Sequence, residues 1–66
     1  MDKKTIGTRL KEYRGSMRPE ELAMKLGVSV SSIFLYESGK RVPRDPVKKK
    51  YAELFGTTVG KLFFGE

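Results

Sequence analysis

A chain of 66 residues with no cysteine and no histidine holds one small domain, residues 1–66, and excludes a disulfide staple, a thiolate or imidazole metal site and the usual general base at neutral pH. No stretch approaches the roughly 18 consecutive apolar residues of a membrane span, so a cytoplasmic protein without a membrane partner is expected. Fourteen Lys and Arg against eight Asp and Glu leave a net charge of +6, which favours a polyanion as partner, nucleic acid before an anionic membrane.

Five short helices are predicted, and no strand-like alternation of useful length interrupts them. The first runs from about Thr5 to Arg14, with Ile6, Leu10 and Tyr13 forming one apolar stripe, and Gly15-Ser16 ends it. The second starts at Pro19, a residue suited to the first helical position, with Glu20 and Glu21 at the positive end of the dipole. Leu22, Ala23 and Leu26 form its apolar face, and Gly27 is its stop. The third has Ser29 as N-cap and carries Val30, Ile33, Phe34, Leu35 and Tyr36 to Glu37, closing at Ser38-Gly39. For the fourth, Asp45 is the expected N-cap and Pro46 the first residue. Val47, Tyr51 and Leu54 make its stripe, and Gly56 closes it. Thr57 or Thr58 then caps a last helix from Val59 to about Phe63.

The second and third segments, joined by Leu26-Gly27-Val28-Ser29, meet the requirements of a helix-turn-helix. Two helices at a wide angle across a 3–4-residue turn need a glycine in the turn, here Gly27. A small residue is needed where the helices cross, and Ala23 lies one turn earlier. Leu22, Leu26, Val28, Ile33 and Tyr36 are spaced to fill the angle. The glycine turn alone would equally join two helices of an ordinary bundle; the full spacing pattern favours the helix-turn-helix.

The chain resembles the phage lambda repressor/Cro/Xre-type regulators from about Ile6 to Phe64. The resemblance is carried by Glu20-Glu21-Leu22-Ala23, Lys25-Leu26-Gly27-Val28-Ser29, Ser32-Ile33, Tyr36-Glu37-Ser38-Gly39-Lys40-Arg41-Val42-Pro43, and the tail from Leu54-Phe55-Gly56 to Leu62-Phe63-Phe64. It implies an all-α, compact five-helix fold and a transcriptional regulator that binds double-stranded DNA, with the third helix in the major groove. By position, Val30, Ser31, Phe34 and Leu35 would meet base edges. Arg14 and Glu37 match an ion pair between the first helix and the end of the third. Lys40, Arg41 and Arg44 match a loop that follows the DNA backbone, and with Arg18, Ser29 and Ser38 they complete the expected phosphate-contacting set.

Two departures stand out. The family often begins its second helix with Ser or Thr followed by Gln, where this chain has Arg18-Pro19, so charge would replace an amide contact. On the expected reading face only Ser31 and Ser38 can hydrogen-bond. Val30, Phe34 and Leu35 can meet thymine methyls, but an apolar face also suits a protein partner. Phe34 is therefore open to three readings: a groove contact, an interface anchor, or a side chain folded back on the domain.

Other features have plainer explanations. Lys48-Lys49-Lys50 reads as a solvated helix face, since three successive residues cannot all point one way. Tyr13, Tyr51, Phe55, Leu62 and Phe63 read as core or interface. A homodimer, at least on DNA, is expected, with Val59, Leu62, Phe63 and Phe64 as candidates, because Phe63-Phe64 near the end of the chain would be poorly buried in a lone monomer. No catalytic constellation, cofactor or metal site is expected. The alternative to a DNA-binding regulator is a protein-interaction module on the same fold (an antirepressor, co-regulator or antitoxin) that uses the third helix.

Overall fold

Local capping explains where each helix starts and stops. In the computed structural model, which describes residues 1–66, there are five helices and no strand: α1 (Lys3–Arg14), α2 (Pro19–Leu26), α3 (Val30–Glu37), α4 (Asp45–Phe55) and α5 (Val59–Phe63). α1 begins two residues before the expected Thr5. The Asp2 carboxylate accepts from the Thr5 N–H at 2.7 Å and so caps the helix, and that hydrogen bond holds the carboxyl below its ordinary range. α2 ends at Gly27, which takes a left-handed φ of 71°, and the Val28 N–H returns to the Ala23 carbonyl at 3.0 Å. Ser29 caps α3, its hydroxyl accepting from the Ser32 N–H at 3.1 Å.

The start of α4 corrects the expectation. Asp45 is the first helical residue and Pro46 the second, while Arg44 occupies the N-cap without a side-chain cap. The Lys48 N–H reaches the Arg44 carbonyl at 2.9 Å, which extends the helix by one residue and moves the Asp45 side chain out of capping position. Thr58, the second of the two candidates, caps α5 by accepting from the Lys61 N–H at 3.1 Å.

α1 packs on α3 and α5, α2 on α3 and α4, and α4 on α5. Their buried faces meet in one core built from Ile6, Leu10, Leu22, Ala23, Leu26, Ile33, Tyr36, Tyr51, Leu62 and Phe63. Two of the dimer candidates are therefore core residues: Leu62 is 0% and Phe63 1% exposed in the monomer. The reason is tertiary. α5 folds back against α1, where the Arg9 guanidinium donates to the Lys61 and Leu62 carbonyls at 2.8 and 3.4 Å and ties down the end of the helix. Only Phe64, 56% exposed, and the half-buried Val59 remain at the surface.

The lysine run is also only partly solvated. The Lys48 ammonium lies 4.9 Å from the Phe64 ring centroid and 3.8 Å from Asp45, and Lys50 donates to the Leu26 carbonyl at the end of α2, 3.4 Å away. Lys49 alone of the three has no such engagement.

Candidate nucleic-acid interface

α3 is held at both ends and turned outward between them. Ile33 and Tyr36 are buried in the core, and the Ser29 cap fixes the helix start. At its far end Glu37 is gripped by Arg14 of α1. Arg14 Nε and one terminal nitrogen donate to the two carboxylate oxygens at 2.7 and 3.1 Å, and the other terminal nitrogen donates to the Met17 carbonyl at 2.7 Å. The fork-on-fork pair is largely removed from water, with side-chain exposures of 13% and 6%. The Glu37 hydrogen bonds hold the Arg14 proton more tightly than in a free guanidinium.

α1 reaches this close because of Gly7, for which helical period and turn chemistry give no signal. A Cβ there would stand 2.5 Å from the Glu37 carbonyl oxygen and 2.7 Å from that of Tyr36. Gly39 makes the matching contact from the loop after α3: with φ of 78°, a Cβ on it would stand 2.8 Å from Lys4 Cα.

Of the four expected base-contacting residues, Ser31 and Phe34 are exposed, and Phe34 carries the largest apolar surface on α3 at 55% exposure. Leu35 is half-buried, and Val30 is half-buried with its side chain packed against the core, so the face narrows to Ser31, Phe34 and the outer edge of Leu35. Two of the serines are already engaged. The Ser29 hydroxyl accepts from the Ser32 N–H and pairs with the Ser32 hydroxyl at 3.0 Å. The Ser38 hydroxyl donates to the Leu35 carbonyl at 3.2 Å, so a phosphate oxygen would have to displace that bond.

Exposed cations flank α3 along the chain, and some share its clefts. Lys40, Arg41 and Arg44 are exposed, and the last two line a cleft with Tyr36, Val42 and Val47. Arg18 is exposed at the start of α2, 3.8 Å from Glu20. Lys11 shares a second cleft with Arg14, Phe34, Glu37 and Ser38. Lys11 was not among the expected contacts, although its position one turn before Arg14 would have placed it there. α2 and α4 both start without a side-chain cap, each with an arginine in the N-cap position. Their first-turn N–H groups are open to an outside acceptor, the arrangement that receives phosphate at a helix N-terminus.

No group of three or more His, Cys, Asp or Glu residues is placed to hold a metal ion, and no helix is long and apolar enough to cross a membrane. A helix-turn-helix family model matches residues 10–62. The chain is similar to an uncharacterized HTH-type transcriptional regulator of Methanocaldococcus jannaschii, with 38% identity over 60 residues, covering 88% of this chain and 91% of that protein. No solved structure matches it.

Proposed function

This chain belongs to the lambda repressor/Cro/Xre-type helix-turn-helix family of DNA-binding regulators, and from that premise we propose that it is a sequence-specific transcriptional regulator that sets α3 in the major groove of a palindromic operator as a dimer. The carrying observation is the state of α3. Both its ends are fixed to the body of the protein, while Ser31 and Phe34 between them face outward without a partner. Lys40, Arg41 and Arg44 in the loop after α3, and Arg18 with the uncapped start of α2, would be the backbone-gripping groups. They orient the helix; the residues between them choose the sequence.

Dimerisation would use Val59 and Phe64, and would set two α3 helices on half-sites about 10–10.5 bp apart or a multiple of that. The regulator acts in the cytoplasm by occluding or recruiting polymerase, and needs no cofactor to do so. A second reading has one observation in its favour: an exposed phenylalanine on the presented helix also suits a protein partner.

Selection of duplexes from a random pool, followed by salt titration of the enriched sequence, separates the two. The expected result is a symmetric motif, bound well above random DNA, whose log affinity falls by about 0.9 per phosphate contact for each decade of salt. Failure to enrich any motif, with only weak salt-sensitive binding to all DNA, would favour the protein-interaction module.

A further inference from the structure

We propose that the recognition is written mainly in methyl groups: Phe34, with the edge of Leu35, selects the C5-methyl of thymine and accepts 5-methylcytosine in its place. This rests on the DNA-binding reading above and names what α3 recognises.

The argument starts from what the helix has left to offer. Four serines lie on or beside α3, and three have their hydroxyls tied to the protein: Ser29 and Ser32 to one another and to the helix cap, Ser38 to the Leu35 carbonyl. Ser31 is the one hydroxyl on the presented face without a protein partner. Long amides, guanidinium groups and carboxylates, which read base edges by paired hydrogen bonds, do not occur there at all; Glu37 is turned into the Arg14 pair. Phe34 is 55% exposed and neither donates nor accepts.

In the major groove a base pair presents donors, acceptors and, from thymine, one methyl group. Placing an aromatic ring against a bare donor or acceptor removes that group from water without repayment. Placing it against a methyl removes two apolar surfaces from water at once. The methyl is thus the one feature of the groove that Phe34 rewards. Cytosine methylated at C5 carries the same group at the same ring position, and Phe34 has no hydrogen-bonding atom with which to tell its amino group from the thymine carbonyl.

Charge decides that the occupant is DNA. Lys11 lies in the same cleft as Phe34, and the loop that follows α3 carries exposed Lys40, Arg41 and Arg44. Glu37 is matched by Arg14 at 2.7 Å, and Glu20 takes up Arg18 at 3.8 Å, so Lys11, Lys40, Arg41 and Arg44 carry the positive excess. An apolar centre beside a net-positive set of side chains complements a groove floored with methyls and walled with phosphates.

The test uses the full chain and the duplex it enriches from a random pool. Each thymine of that duplex is replaced singly by deoxyuridine, which removes only the methyl, and by cytosine or 5-methylcytosine opposite guanine. At the contacted positions uracil and cytosine should each weaken binding about fourfold per methyl, a ratio equivalent to ~0.8 kcal/mol at about 1.4 kcal/mol per tenfold. 5-Methylcytosine should restore binding to about the thymine level. F34A should bring the thymine-to-uracil ratio close to one, whereas S31A should leave it unchanged. Phe34 packs largely against solvent, so its truncation spares the core; the unfolding midpoint of F34A checks that the variant is folded. If uracil matches thymine at every position while the duplex is still bound specifically, methyl reading is overturned and DNA recognition stands. If no duplex is enriched, both fall, and the Phe34 face belongs to a protein.

Discussion

Arg14 and Glu37 anchor the end of α3 to α1, and their value is asymmetric. Together they satisfy each other's hydrogen bonds and the Met17 carbonyl; apart, either leaves a charge in a site mostly closed to water. R14A should therefore cost about 3–5 kcal/mol, a large share of what a chain this size possesses. A double variant R14M/E37L, which removes both charges, should recover most of that loss in urea denaturation. Tyr51 poses the opposite case. Its ring is wholly buried among Tyr36, Phe55 and Phe63, yet its hydroxyl has no protein partner. Burial pushes the phenol above its ordinary range, with the nearby Glu37 charge adding to the shift. The folded protein then keeps this proton longer than the unfolded chain does. The stabilisation is complete below the unfolded value of about 10 and is lost as pH rises from there through the folded value. Y51F should be as stable as the parent at pH 7 or gain up to about 1–3 kcal/mol. Its advantage should widen above pH 10, as paired urea titrations at pH 7 and 11 will report.

Among elements, the junction of α1 with the end of α3 is the tightest. Gly7 lets one helix cross directly over the last carbonyls of the other, which puts Arg14 within reach of Glu37 two turns further along. G7A adds a methyl where backbone oxygens stand 2.5 and 2.7 Å away, and backbone cannot step aside as a side chain can. A loss of about 1–3 kcal/mol is expected, measured as a lowered thermal midpoint, although alanine favours an isolated helix over glycine. The helix ends show a second pattern. Arg9 and Lys50 donate to the final carbonyls of α5 and α2, so these cations neutralise helix C-termini and are not free for phosphate. Cations without such a tie include Lys40, Arg41 and Arg44 of the loop before α4, Lys11 and Lys49, which would be available to a phosphate backbone in the proposed complex.

At the level of the whole molecule, the accessible surface of 4297 Å² can be set beside about 4,250 Å² for a folded monomer of this mass. The agreement means that the five helices already bury what a self-sufficient domain buries. A second subunit is not needed to complete the core, and the proposed dimer would serve the symmetry of the proposed operator. Its contact patch is correspondingly small, centred on Phe64 with Val59 beside it and the Lys48 ammonium over the ring. F64E should leave the unfolding midpoint within about 0.5 kcal/mol of the parent, as for an exposed site. On operator DNA it should shift the complex from two protomers to one, as sedimentation velocity would show. An unchanged two-protomer complex would move the interface elsewhere.

Much of this protein was legible in its sequence because the signals are local. Pro19, Gly27, Ser29, Gly56 and Thr58 start or stop helices through interactions within four or five residues, and the apolar spacing of Leu22, Leu26, Ile33 and Tyr36 follows from helical period alone. The one-residue error at Asp45 and the missed Asp2 cap are failures of the same local kind: several short polar residues compete for each cap, and backbone hydrogen bonds decide among them. The tertiary structure alone decided which neighbours share a fate. Phe63 is buried and Phe64 exposed because α5 docks on α1, some fifty residues earlier in the chain. Likewise Lys48 and Lys50 turn to partners on the protein while Lys49 stays free, and Val30 packs inward while Phe34 faces out. Periodicity assigns a residue to a helix face. Whether that face meets core, solvent or DNA depends on contacts distant in sequence, and no local pattern encodes those.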